Sequence, residues 1–196
     1  MSPAPKIEAF VLAGGKSSRM GKDKGLVNLN NQPMVSYVFQ ALQEAELPVK
    51  IIANSRDYEK FGFPVCKDVV KERGPMGGLL TAFNNTDAEV VLLISCDMPF
   101  VNAEAINLLL KAVDEDYITA ALVKDRINPL FAAYPLHLKG SVEDAIASEE
   151  LKMTDFILKN PHTLVPSVAQ KMPWCFRNIN NEQELKEAEE KWSHLL

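Results

Sequence analysis

Between Leu12 and Gly25 the chain reads LAGGKSSRMGKDKG, which sets Gly14, Gly15, Gly21 and Gly25 among Lys16, Arg19, Lys22 and Lys24. Glycines lack the Cβ that would hold backbone N–H groups away from a polyanion, and the cations neutralise its charge. The combination suits a nucleoside triphosphate. Further on, Cys96-Asp97-Met98-Pro99 puts a carboxylate directly after an apolar run. Opposite a triphosphate, Asp97 can hold Mg²⁺, a hard cation that takes one or two carboxylates together with phosphate oxygens. Asn54, Asp68 and Asn180 each close an extended stretch. Asn180 could help at the metal, orient a second substrate or simply cap a helix, and Asn54 and Asp68 are also common turn formers. Gly77 and Gly78 sit at a helix start, where free N–H groups favour an anion and the missing Cβ permits close packing.

Two familiar phosphate loops are excluded. The pattern G-x-x-x-x-G-K-[ST] needs glycine where Phe10 stands, and G-x-G-x-x-G fails because Gly14 and Gly15 are adjacent and Gly21 follows. His137, His162 and His194 have no partner at metal or triad spacing and read as surface residues. Cys66, Cys96 and Cys175 are odd in number and lack zinc-site spacing, so they read as reduced thiols.

The elements that must position these residues alternate. Apolar runs rich in Val and Ile exchange with segments of helical period, the pattern of strands joined by crossover helices. Strands are expected over Ile7 to Ala13, Val49 to Ala53, Pro64 to Lys67 and Glu89 to Ser95, then Tyr117 to Val123 and Leu130 to Tyr134 around a polar turn. Helices are expected from Pro33, from the Gly74–Gly78 segment and after an N-cap at Asn102, and shorter ones over Val142 to Ala147 and Asp155 to Leu158. His162 to Val168 and Phe176 to Ile179 look extended. Asn181-Glu182-Gln183-Glu184 resembles a capping box for a last helix ending near Trp192. The phosphate loop then lies just past the carboxyl end of a buried strand, where open α/β sheets bind ligands.

With 196 residues, 47% hydrophobic, and no linker or repeat, the whole of residues 1–196 reads as a single domain. The formal net charge of −5 argues against a nucleic-acid surface. No apolar stretch is long enough to cross a bilayer and no signal segment is evident, so a cytoplasmic protein is expected.

The stretch Leu12-Ala13-Gly14-Gly15-x-Ser17-x-Arg19-Met20-Gly21-x-Asp23-Lys24 resembles the signature of the MobA-like nucleotidyltransferases. The resemblance continues through Asn54, Asp68 before Gly74-Pro75-x-Gly77-Gly78, Cys96-Asp97-x-Pro99-Phe100, Pro129-Leu130-Phe131 and Asn178-Ile179-Asn180. One departure is Asn128, where many members carry histidine. The resemblance implies a three-layer α/β/α sandwich around a Rossmann-like, mostly parallel sheet of the nucleotide-diphospho-sugar transferase type. It also implies transfer of GMP from GTP to molybdopterin cofactor, with Mg²⁺ as cofactor and with molybdenum-cofactor biosynthesis proteins or recipient molybdoenzymes as partners. By the same resemblance, Leu12, Ala13, Gly14 and Gly15 with Asn54 and Asp68 bind the nucleotide. For such a transfer, Lys24 and Arg19 are expected to stabilise the triphosphate and departing pyrophosphate and Asp97, from its place after a strand, to hold the metal; the region from Lys124 to Pro173 is expected to contribute to the second site, because the phosphate-loop half is already occupied by nucleotide. A CTP-dependent transferase, transfer to another phosphorylated acceptor and a noncatalytic carrier remain as alternatives.

Overall fold

The computed structural model describes residues 4–13 and 23–195. The first apolar run forms β1 (Ile7–Leu12), and its alternate residues serve two cores: Ala9 and Val11 face one side, Phe10 the other. A strand apolar on both faces has to be covered on both. After it, β2 (Asn28–Leu29) and β3 (Gln32–Pro33) make a small hairpin that the apolar pattern does not announce. Its turn residues Asn30 and Asn31 hold φ of 48° and 68°, which asparagine tolerates better than most residues. Pro33 is the N-cap of α1 (Met34–Glu44) rather than its first residue.

The chain continues through β4 (Val49–Ile52), β5 (Val65–Cys66), α2 (Gly74–Asn84), β6 (Val90–Ser95) and α3 (Ala103–Leu110). Then come β7 (Ile118–Val123), β8 (Arg126–Pro135), α4 (Lys139–Ala147), α5 (Met153–Lys159), β9 (His162–Val165), α6 (Pro166–Lys171) and α7 (Glu182–Leu195). Asn102 caps α3 as expected, its side chain accepting from the Ala105 N–H at 2.9 Å.

Seven strands form one sheet in the order β5-β4-β1-β6-β8-β7-β9. Only β8 runs against the others, antiparallel to both β6 and β7. Helices α1, α3 and α6 cover one face; α2, α4 and α5 cover the other. This is the expected three-layer sandwich with a mostly parallel sheet. Every residue of β6 is buried, and each large apolar side chain removed from water there contributes about 1.5–3 kcal/mol.

Two segments differ from the sequence expectation. The extended stretch from His162 ends at Val165, because Pro166 suits a first helical turn and opens α6. Phe176 to Ile179 is not a strand: a 3-10 turn (Pro173–Phe176) leads into an irregular stretch, whose Ile179 N–H reaches the Asp97 carbonyl at 3.4 Å. That stretch delivers α7 to a third cluster, where Ile179, Ala188 and Trp192 pack with Leu29, Met34 and Phe100. The Trp192 ring lies 4.7 Å from Tyr37 and 5.4 Å from Phe100.

Burial pushes the Cys175 thiol up from 9.0 to about 11; a backbone hydrogen bond at Asn102 opposes the rise and Glu104 adds to it. An acid whose pKa rises on folding stabilises the fold fully below its unfolded value, and that stability is lost as pH climbs through the folded value. Unfolding free energy is therefore expected to decline as pH rises from about 9 to about 11. Cys175→Ala should make that decline shallower but not remove it, because burial also raises Cys66, Tyr58 and Tyr134; urea titrations at fixed pH measure the difference.

Candidate functional site

At the carboxyl ends of β1, β4, β5 and β6 the sheet opens into a cavity of about 890 Å³, lined by Leu12, Lys24, Asn54, Asp68, Asp97 and Leu130 among others. β6 places Ser95 at its last position, and Asp97 follows two residues on. The Asp97 side chain is only 12% exposed. Its Oδ1 accepts from Ser95 Oγ at 2.6 Å, while Oδ2 stands 3.6 Å from Lys24 Nζ. The same ammonium donates to Asn180 Oδ1 at 2.9 Å. Three residues distant in sequence thus meet at one cation.

Lys24 is fixed from both sides. Asp23 Oδ1 accepts from the Gly25 N–H at 3.2 Å and from the Tyr58 hydroxyl at 2.5 Å. Tyr58 is fully buried, and burial, followed by the charges of Cys96 and Asp23, raises its phenol far above the usual tyrosine value. The hydroxyl therefore stays a donor at any working pH. A Cβ on Gly25 would stand 2.5 Å from the Tyr58 hydroxyl oxygen and 3.2 Å from Cys96, so the turn carrying Lys24 is packed against the sheet with no room for a side chain.

On the other side of the cavity, Asn54 and Asp68 bond reciprocally. Asn54 Nδ2 donates to Asp68 Oδ2 at 2.8 Å, and the Asp68 N–H donates to Asn54 Oδ1 at 3.3 Å. They follow β4 and β5, which are neighbours, so the pair faces the opening together. The Leu12 carbonyl accepts from the Cys96 N–H and the Ala13 N–H donates to the Ile52 carbonyl; both groups extend the sheet. The Gly77 N–H returns to the Arg73 carbonyl at 3.3 Å, and a Cβ on Gly78 would lie 2.5 Å from Leu12 Cδ1. Close packing accounts for Gly78. Gly14, Gly15 and Arg19 lie outside the described residues.

The wall towards the antiparallel strand is bulged. Ala120 pairs with Ala132 and the next residue, Ala121, with Asn128, so one step along β7 answers to four along β8. Asn128 Oδ1 accepts from the Leu130 N–H at 3.0 Å, and the Tyr134 hydroxyl donates to the Pro129 carbonyl at 2.8 Å. Bulges re-aim side chains, and Leu130 is the residue of this segment that lines the cavity.

Sequence reasoning did not single out Ser95 or Tyr58, and it placed Glu184 only in a helix cap. Ser95 had a signal, since it ends β6 just two residues before Asp97. Tyr58 had none, because its partner Asp23 is 35 residues away. Among the described residues no three His, Cys, Asp or Glu side chains form a metal cluster. The Asp97 carboxylate and Asn180 amide oxygen are nonetheless two hard donors converging on one position already taken by a cation.

The family description MobA-like NTP transferase domain matches residues 9–162. A Flavobacterium johnsoniae protein described as a probable molybdenum cofactor guanylyltransferase is 32% identical over 182 residues, covering 92% of this chain and 95% of its own length. A molybdenum cofactor guanylyltransferase of Haemophilus influenzae is 34% identical over 186 residues, covering 92% and 96%. Among solved structures, molybdopterin-guanine dinucleotide biosynthesis protein A from Archaeoglobus fulgidus superposes with a TM-score of 0.79 at 25% identity, over 95% of this chain and 99% of that one.

Proposed function

The chain belongs to the MobA-like NTP transferase family, and on that premise we propose that it is a molybdenum cofactor guanylyltransferase. A terminal phosphate oxygen of molybdopterin cofactor attacks the α-phosphorus of GTP; the bond to the β-phosphate oxygen breaks and pyrophosphate leaves. The product is the guanine dinucleotide form of the cofactor. The observation that carries the reading is the meeting of Lys24, Asp97 and Asn180 at one end of the cavity. Nucleotidyl transfer depends on in-line positioning and on neutralising charge in the transition state, and this trio supplies both.

The donor set fits Mg²⁺. Asp97 and Asn180 would hold it, and when bound it supplies charge neutralisation on the phosphate oxygens. Lys24 pairs with the triphosphate and the departing pyrophosphate, joined by Arg19 and by the backbone at Gly14 and Gly15. Asn54 and Asp68 read the nucleoside: a carboxylate accepts where guanine offers N–H groups, and the amide can both donate and accept. Leu12 lends its side chain to the cavity wall. The region from Lys124 to Pro173 then serves the pterin, with Leu130 as its contact to the shared cavity. None of the three cysteines is in a disulfide, which suits a reducing compartment, and among the described residues no helix is long and apolar enough to cross a membrane. We place the reaction in the cytoplasm.

The test is one reaction of the purified protein with molybdopterin cofactor, Mg²⁺ and equal GTP and CTP, assayed for pyrophosphate and for the nucleobase in the product. Guanine in the product is the expected result. Cytosine would move the chain to the cytidylyl branch, and nucleotide binding with no pyrophosphate would replace this acceptor with another or reduce the protein to a carrier.

A further inference from the structure

A primary amide has two faces, and which one Asn180 turns to Lys24 decides whether it attracts or repels a cation. The structure shows what decides it. Glu184 Oε2 accepts from the Asn180 backbone N–H at 2.7 Å and stands 3.3 Å from Asn180 Nδ2. An ionised carboxylate only accepts hydrogen bonds, so it takes the Nδ2 end and leaves Oδ1 to face the ammonium, 2.9 Å away. The reversed amide would set oxygen against carboxylate and N–H against ammonium at once.

Glu184 is itself held. Its Oε1 accepts from Asn181 Nδ2 at 2.9 Å, and its N–H donates to Asn181 Oδ1 at 2.9 Å. It occupies the first turn of α7, which docks through Ala188 and Trp192 beside Phe100, three residues past Asp97. This segment lies beyond residue 162, where the family match ends.

We propose that Glu184 is a positioning residue for nucleotidyl transfer: acting through Asn180, it fixes the amide oxygen towards Lys24 and the cation position beside Asp97. This inference rests on the function proposed above. It assigns α7 a part in the reaction and not only in stability.

The test compares wild type, Glu184→Ala, Glu184→Gln, Asn180→Ala, the double variant Asn180→Ala/Glu184→Ala, and Ala188→Gly, which weakens the same helix without touching the carboxylate. One readout is kcat for pyrophosphate release. The other, recorded without substrates, is the ¹H–¹⁵N resonance pair of the Asn180 side-chain amide, assigned by its disappearance in Asn180→Ala. Glu184→Ala should lower kcat about tenfold, the scale of losing the partner that orients a ligand, and shift the amide pair. Glu184→Gln, which keeps one acceptor oxygen, should recover part of the loss. In the Asn180→Ala background, removing Glu184 should cost nothing further, since the two act as one unit. Additive losses, an unmoved amide pair in Glu184→Ala, or the same changes in Ala188→Gly would each overturn the proposal. A wild-type protein that releases no pyrophosphate would overturn the proposed function instead, while the amide pair would still decide whether Glu184 orients Asn180.

Discussion

Asp97→Ala is expected to lower pyrophosphate release by about two to three decades, the usual cost of deleting one charge-stabilising contact at a transfer site, while the protein stays folded. Three features make the effect large. The carboxylate is nearly buried, so no water-exposed substitute is at hand. Ser95 fixes one of its oxygens, which leaves the other for a cation. Among the described residues Asn180 also brings an oxygen to that position, and a neutral amide cannot replace a charge. The fold survives because the lost partners are a hydroxyl and an ammonium at the cavity edge, not core side chains. Activity at saturating GTP together with circular dichroism melting checks both halves of the expectation, and wild-type turnover in a folded Asp97→Ala protein would remove its metal role.

Lys24→Ala should fall by a similar two to three decades, and Lys24→Arg should recover little of it. Asp23 and Gly25 are both tied down, so the side chain leaves the backbone at a fixed point with a fixed reach. Lysine brings a compact point charge to that spot, whereas a planar guanidinium carries five donors in a rigid fork that one amide oxygen and one carboxylate oxygen do not match. The lysine side chain lines the open cavity, so its removal widens that cavity instead of leaving a sealed void. Steady-state kinetics on the two variants separate charge from shape: full activity in Lys24→Arg would mean that any cation suffices.

Much of this site was legible because strand ends are. The run from Val90 to Ile94 is apolar at every position of a strand buried on both faces, and Ser95-Cys96-Asp97 follows it directly, so the position of Asp97 followed from the pattern. Asn54 and Asp68 were legible for the same reason. What could not be read were links between distant turns. Nothing local says that Tyr58 donates to Asp23 or that Lys24 donates to Asn180, since hydrogen bonds across 35 and 156 residues depend on packing that only the whole fold supplies. The capping box was foreseen, yet its carboxylate also reaches one residue further back, to Asn180. Phe176 to Ile179 differs because two apolar residues flanking a polar pair equally mark an irregular stretch with one buried anchor, here Ile179.

The reversed strand β8 sets where the molecule can tolerate novelty. Because it runs against β6, it presents its beginning at the edge where the other strands end, and it is joined to β7 by a tight turn at Lys124 and Asp125, with φ of 48° and 60°. Residues inserted at that turn would lengthen one wall of the cavity without passing through β1, β4 or β6, so their register would stay as it is. On the proposed reading, a lineage could remodel its grip on the acceptor by trial at a single hairpin while the nucleotide chemistry is inherited unchanged.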